Sequence, residues 1–349
     1  MATKKDVATR AGVSHTTVSH VLNETRPVRA STRERVLAAA RDLQYVPNQV
    51  ARSLKQRVSR TIGFIVPNVF DPYFAELARG VEDACYLAGR SAIVCSTEAC
   101  YRPGRTEPAC SADGPPAPQR AYLSFLREKC IDALIVASPT DDPGWLRALK
   151  EMPCPLVITD RDAPGIDADL VQLDNAQAGQ LAAEHLVALG HRAVGLITGP
   201  ASVDVTRDRS SGFRKVLEEA GIELPTARVR EADFTSAGGH RAARELLLTQ
   251  PEITALFAQN DMMAVGVLRA AGELGIAVPG RLSVVGCDDV ELSRFIFPSL
   301  STVGASIREL GERAVETTLA RITDPAARRR RVALSPGLRV RESTGPRAP

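Results

Sequence analysis

Near the start of this 349-residue chain, His15, Thr16, Ser19 and His20 are the residues best suited to direct chemistry. Their spacing places all four on one face of a helix, with Val18, Val21 and Leu22 on the other. Short hydroxyl and imidazole groups on an exposed helix donate and accept hydrogen bonds, which is what reading base edges in a DNA groove requires. Reaction chemistry is missing by comparison. The chain has no phosphate-binding G-x-x-x-x-G-K-[ST] loop, no G-x-G-x-x-G, no H-E-x-x-H and no G-x-S-x-G elbow. Its five histidines (His15, His20, His185, His191 and His240) lack metal-ligand spacing. His191, after Gly190 at a helix end, is expected to make a cap or dipole contact. Adjacent aspartates such as Asp288 and Asp289 point apart and do not form an acid/base couple. No catalytic residue, metal or cofactor is expected, and the chain is not expected to be an enzyme.

The polar face needs a scaffold, and the first 46 residues supply one. Thr3 with Asp6 forms an N-cap signal, Val7, Ala8 and Ala11 mark the inner face of a helix over about 4–11, and Gly12 stops it. Ser14 caps a second helix that carries the polar face. Ser31 with Glu34 reads as a capping box for a third, with Val36, Leu37, Ala40 and Leu43 facing inward. Two helices joined by a tight turn, the second opening on small polar residues, form a helix-turn-helix that can place its second helix in the major groove. Charge agrees. Residues 1–60 hold 12 Lys and Arg against four acids, whereas the whole chain carries only +3, so a basic head precedes an acidic body.

Residues 47–60 read as a hinge and linker. Asn48 to Lys55 is a basic two-turn helix too short to be stable alone. It either folds in a DNA minor groove with Leu54 wedged between base steps, or is a linker whose leucine packs on a neighbour. From Thr61 to about residue 345, short apolar runs alternate with helices. Ile62–Val66, Ala92–Cys95, Ala133–Val136 and Leu156–Ile158 form one series; Ala193–Ile197, Ala255–Ala258 and Leu282–Val285 form another. The pattern predicts an α/β body of two doubly wound parallel-sheet lobes with a ligand cleft at the strands' carboxyl ends. Seven cysteines, an odd number without C-x-x-C spacing, are expected to be reduced thiols. No apolar run suits a membrane span. The polar sequence after the N-terminus predicts a cytoplasmic protein.

The strings Asp6-Val7-Ala8, Ala11-Gly12-Val13-Ser14, Thr17-Val18-Ser19-His20-Val21-Leu22-Asn23, Tyr45-Val46-Pro47-Asn48 and Ala51-Arg52-Ser53-Leu54 closely resemble the lactose repressor family, and in this head region its purine repressor branch. Asp71-Pro72-Tyr73-Phe74, Asp174-Asn175, Leu189-Gly190-His191-Arg192, Asn260-Asp261 and Val285-Gly286-Cys287-Asp288-Asp289 extend the resemblance along the body, whose fold in that family is like that of periplasmic sugar-binding proteins. The resemblance implies that Thr16 and His20 contact base edges, that Leu54 is the minor-groove wedge and that Lys55 anchors beside it. The full DNA-facing set becomes Thr3, Lys5, His15, Thr16, Thr17, Ser19, His20, Asn23, Arg26, Asn48, Ala51, Leu54 and Lys55.

The same resemblance lines an effector cleft with Tyr73, Phe74, Asp160, Arg209, Phe234, Asn260 and Asp288, suited to a sugar or a purine-like heterocycle. It divides the body into an N-lobe of about 61–161 and 293–321 and a C-lobe of about 162–292 and 322–345. Val203 stands where the purine branch has a further arginine, so purine specificity is not implied. The Pro- and Gly-rich stretch from Glu98 to Pro118, with Cys100 and Cys110, reads as a surface insertion. The expected function is a homodimeric repressor on a palindromic double-stranded DNA operator, controlled by a small-molecule effector and independent of membranes. A solute-binding receptor without a role on DNA is the alternative, and it leaves the basic head unexplained.

Overall fold

The computed structural model describes residues 2–23, 26–45, 58–97, 118–137, 142–163 and 165–347. Asn48, Ala51, Leu54, Lys55, Cys100 and Cys110 lie outside the described residues. The chain divides into two compact units, residues 1–59 and 60–349.

The first unit contains α1 (Lys4–Ala11), α2 (His15–Asn23) and α3 (Ala30–Asp42). Thr3 and Asp6 form the reciprocal capping box of α1, the Thr3 amide donating to the Asp6 carboxylate at 2.7 Å. Gly12 ends the helix at φ +63°, a left-handed conformation that costs glycine least. The Thr17 amide donates to Ser14 Oγ at 3.1 Å, so Ser14 caps α2. The third cap differs from expectation. Helix α3 starts at Ala30 with Arg29 as its N-cap and no side-chain cap bond, which places Ser31 inside the helix, where the expected box with Glu34 does not form. Val7, Ala8, Ala11, Val18, Val21, Val36, Ala39 and Ala40 close the small core.

The second unit is built on two six-stranded sheets. In the first lie β1 (Thr61–Val66), β2 (Ser91–Ser96), β3 (Ala133–Ala137), β4 (Leu156–Thr159) and β5 (Asp169–Leu173), with β11 (Arg331–Leu334) at the edge; every pairing is parallel. The second holds β6 (Val194–Thr198), β7 (Val229–Glu231), β8 (Ala255–Ala258), β9 (Ser283–Cys287), β10 (Ser301–Gly304) and β12 (Gly337–Arg339), and only β10 with β12 is antiparallel. Helices α4 (Pro72–Leu87), α5 (Pro118–Glu128), α6 (Pro143–Lys150) and α11 (Ile307–Thr323) serve the first lobe. Helices α7 (Asn175–Ala188), α8 (Asp204–Glu219), α9 (Ser236–Thr249) and α10 (Asp261–Glu273) serve the second.

Sheet membership shifts the lobe boundaries expected from sequence. Strands β5 and β11, assigned to the C-lobe, pair within the first sheet, while β10, assigned to the N-lobe, pairs within the second. Asp169 explains part of this. It is 2% exposed and accepts from Arg321 Nε and Nη2 at 2.8 and 2.7 Å and from the Arg330 amide at 2.7 Å, tying the start of β5 to the end of α11. Burial raises its pKa, but the Arg321 and Arg330 bonds outweigh burial and the net value is lowered. A lowered carboxylate pKa adds stability above the unfolded value, about 3.9, and that stability is lost as pH falls through the folded value. Asp169→Asn should therefore cost about 3 kcal/mol near neutral pH. Urea unfolding at pH 7 and again near pH 3 checks this, because the gap between variant and parent should shrink at the acid end.

His191 makes the expected cap contact through its backbone, its amide donating to the Leu186 carbonyl at 3.1 Å at the end of α7. Its buried ring does more: it meets Thr254 Oγ1 at 2.9 Å through Nδ1, and Ser283 Oγ at 3.0 Å and the Gly345 carbonyl at 3.1 Å through Nε2. The ring joins the second sheet to the C-terminal segment, and burial, with Arg347 nearby, keeps its pKa below the ordinary histidine value despite the Gly345 bond.

Candidate functional site

On the first unit, His15 and Thr16 are exposed at the start of α2, and Ser19 and His20 are half-buried one turn later, with Val18 and Val21 directed into the core. This is the polar face read from the sequence. Lys5 and Arg26 are exposed as well. Thr3 is exposed, but its hydroxyl donates to Asp6 at 2.8 Å, and the Thr17 hydroxyl lies 2.9 Å from that of Ser14. Both threonines thus shape helix starts. Asn23 is the last residue of α2.

On the second unit, the seven residues expected at a cleft line one cavity of about 300 Å³ between the lobes. Tyr73 and Phe74 enter from the first turn of α4, which Asp71 caps through the Tyr73 amide at 2.9 Å and Pro72 opens. Their rings meet edge to face at 5.1 Å and 86°. The Tyr73 hydroxyl donates to Asp160 at 2.8 Å; burial and then the Asp160 charge push its pKa well above the ordinary tyrosine value, so it remains a donor. Asp160 follows β4.

The opposite wall comes from the second lobe. Arg209, 4% exposed, lies within α8, which begins at Asp204. Its Nε donates to Asn175 Oδ1 at 2.9 Å, one terminal nitrogen to the Gln259 carbonyl, and the other to Asp288 at 3.2 Å. Asp288 follows β9. Burial pushes its carboxyl up to about 7; Arg209 pulls it down, and Asp160 and Asp71 push it up again. Asp289 turns away to Arg341, so the adjacent pair diverges as expected. Asn260 caps α10 by accepting from the Met263 amide at 2.8 Å and holds Phe234 by donating to its carbonyl at 2.9 Å.

Backbone strain concentrates at this cleft. Asp160, Phe234 and Asp288 adopt φ of +75°, +63° and +123°, and Asp289 +56°, in a region that side chains other than glycine rarely occupy. Sequence reasoning missed Asp71, Arg161, Val205 and Asp233, which line the same cavity, and Asn175 and Gln259, which hold Arg209. Val205 lies one helical turn before Arg209 and follows once α8 starts at Asp204; Arg161 is the neighbour of Asp160. Gln259 carries no comparable signal. Among the described residues no cluster of His, Cys, Asp and Glu could hold a metal ion, and no helix is long and apolar enough to cross a membrane.

A small helix-turn-helix head with a two-lobed, cleft-bearing body defines a ligand-responsive DNA-binding regulator. Family models agree: residues 3–48 match bacterial regulatory proteins of the lacI family, and residues 183–344 match a periplasmic binding protein-like domain. The chain is 37% identical over 344 residues to the HTH-type transcriptional repressor PurR of Photobacterium profundum, covering 98% of each chain. It is 37% identical over 347 residues, again 98% of each, to PurR of Haemophilus influenzae. Its fold matches the lac repressor dimer bound to operator and the anti-inducer ONPF with a TM-score of 0.84, at 29% identity and 99% coverage of both chains. The transcriptional regulator CelR in complex with cellobiose matches at 0.72, with 28% identity and 98% and 100% coverage. The chain belongs to the lacI family of bacterial regulatory proteins. It is a DNA-binding transcriptional regulator under small-molecule control, and the relatives named here are regulators and not enzymes.

Proposed function

We propose that the protein is a cytoplasmic homodimeric repressor that binds a palindromic operator and changes its affinity when a sugar or purine-like effector enters the cleft. What supports the effector half is one observation: Tyr73, Phe74 and Asp160 from one lobe and Arg209, Phe234, Asn260 and Asp288 from the other meet at a single cavity of about 300 Å³. A ligand touching both lobes has differential affinity for their open and closed arrangements, which is what couples a binding site to a conformational equilibrium. On the DNA side, Thr16 and His20 are assigned to base edges, with His15, Ser19, Asn23, Lys5 and Arg26 on the surrounding bases and phosphates and Thr3 and Thr17 placing the helix starts against the backbone. Asn48, Ala51, Leu54 and Lys55 are assigned to the hinge in the central minor groove.

Selection of bound sites from random duplex DNA, with and without a panel of sugars and purines, tests the proposal. A palindrome enriched or lost with one ligand supports it and assigns the effector as corepressor or inducer. Failure to enrich any sequence would leave a solute-binding body as the functional part. Leu54→Ala is expected to weaken specific operator binding by about 10- to 100-fold, the loss of one unstacking wedge, while ligand affinity stays unchanged. Fluorescence anisotropy on the selected site checks this, and equal affinity for parent and variant would remove the wedge assignment.

A further inference from the structure

All strands of the first sheet run parallel, so all six begin at one edge, where the helices of that lobe end. Basic residues collect there. Arg60 and Arg90 precede β1 and β2, Arg127 and Lys129 precede β3, and Arg147 and Lys150 precede β4. Arg321, in the last turn of α11, and the run Arg328-Arg329-Arg330 precede β11. Six acids share the edge. Asp132 pairs with Arg90 at 2.5 Å, Asp169 with Arg321 at 2.7 Å, and Asp167 with Arg329. That leaves Glu128, Glu151 and Asp324 against seven basic side chains, on a body that is acidic overall. Lys150, Arg328 and Arg330 are exposed and make no ion pair among the described residues. Helix dipoles account for cations at Arg127, Lys150 and Arg321, each in a last helical turn, but not for the arginine run, which lies beyond one.

Between the end of α6, residues 165–169 and residues 325–329 the edge carries an open groove of about 900 Å³, whose charged lining is Lys150, Arg321, Arg328 and Arg329 with Asp167 and Asp169. Both of those aspartates are neutralised by their own arginines, so the groove presents surplus positive charge. Guanidinium and ammonium groups spread along an exposed groove suit a row of phosphates, and release of the counterions held by those phosphates drives such contacts. The chain that leads to the head leaves the body at this same edge, since Arg60 precedes β1. DNA held by the head is therefore tethered to the edge through residues 46–57, a span of at most about 45 Å. We propose that this edge of the body is a second, sequence-independent DNA contact, in which Lys150, Arg328 and Arg330 meet the phosphates that flank the operator. Contacts of this kind carry no sequence information; they add affinity and fix how the protein lies on the duplex.

This rests on the protein binding an operator, and two duplexes separate the readings: the selected site alone, and the same site extended by about 15 base pairs, roughly 50 Å, on each side. Fluorescence anisotropy of the full-length protein across a salt series reads both. The parent is expected to bind the extended duplex about tenfold more tightly and with a steeper salt dependence. Lys150→Glu/Arg328→Glu should lose that gain and flatten the salt slope on the extended duplex by about two to four, while binding the short duplex as the parent does. Lys150→Gln/Arg328→Gln should give roughly half the change without reversing charge, and thermal melts of the variants check that the fold is intact. Lys215→Glu/Arg244→Glu makes the same charge change on α8 and α9 of the second lobe and should keep the gain. A parent indifferent to flanking DNA, edge variants that retain the parent's gain, or a control that loses as much as the edge variant overturns the proposal. A parent that binds the short duplex but gains nothing from the flanks overturns the edge and keeps the operator reading; one that binds neither duplex overturns both.

Discussion

Arg209→Ala is expected to abolish effector binding and, with it, the effector-dependent change in operator affinity, while the head still binds DNA. The guanidinium joins Asn175 on α7, the Gln259 carbonyl after β8 and Asp288 after β9, so one side chain holds three segments of the cleft wall. Truncation removes that brace and leaves the Asp288 carboxylate, 8% exposed, without its cation. Removing one partner of a buried pair costs about 3 to 5 kcal/mol, tempered here because the raised pKa of Asp288 lets it take up a proton near neutrality. The stability loss should therefore grow as pH rises above about 7 and shrink below it. Arg209→Lys separates charge from geometry. An ammonium keeps the charge but lacks the planar fork, so the lysine variant should recover much of the stability and little of the ligand affinity. Thermal melts beside calorimetry check both, and a lysine variant with parental ligand affinity would show that charge alone matters.

Gly179→Ala is expected to have the second large effect. Helices α7 and α8 cross where a Cβ at Gly179 would collide with the Arg209 carbonyl oxygen and one at Gly212 with the Ala176 carbonyl oxygen. The obstacle is backbone on both sides, so no side-chain rotation relieves it. The helices must part, at a cost of about 3 kcal/mol or more. Because the carbonyl in the way belongs to Arg209, the displacement also moves the cleft brace, and effector affinity should fall about tenfold or more. Gly272→Ala serves as the control. It sits in α10 with nothing within 4 Å of an added Cβ, and should be neutral or stabilise by up to about 1 kcal/mol through helix propensity. Denaturant melts of both variants distinguish a steric crossing from a general intolerance of alanine.

Much of this architecture is written in local pattern. Thr3 with Asp6, Gly12 and Ser14 mark helix ends through bonds made within three or four residues, and all act as read. The Ser31 and Glu34 pair shows the limit: the same spacing fails as a cap because α3 begins one residue before Ser31. The apolar strands of both sheet centres are equally legible. Strands β5 and β11 are not, because DLVQL and RVAL are short and partly polar, and β11 lies at the sheet edge. They become strands by pairing with each other, Leu334 opposite Leu173, and through the Asp169 to Arg321 tie, contacts between residues far apart in the chain. The cleft was legible only through family resemblance. Asp160, Phe234 and Asp288 occupy strained positions that no propensity favours, and Gln259 contributes a carbonyl, which sequence does not distinguish from any other.

Among the described residues the chain passes between the lobes three times. Asp174 alone separates β5 from α7, Ala305 and Ser306 separate β10 from α11, and Ser335 and Pro336 separate β11 from β12. These passages are lashed side by side, because Leu334 pairs with Leu173 in one sheet and Gly337 with Gly304 in the other, and the Asp174 amide donates to the Leu334 carbonyl at 2.9 Å. Three short tethers fastened together at both ends behave mechanically as a single leaf spring. They forbid the lobes to slide or separate and leave rotation about the strap as the soft coordinate. Occupancy of the cleft is thereby converted into one angle, and a single angle is a signal that a molecule can transmit without ambiguity.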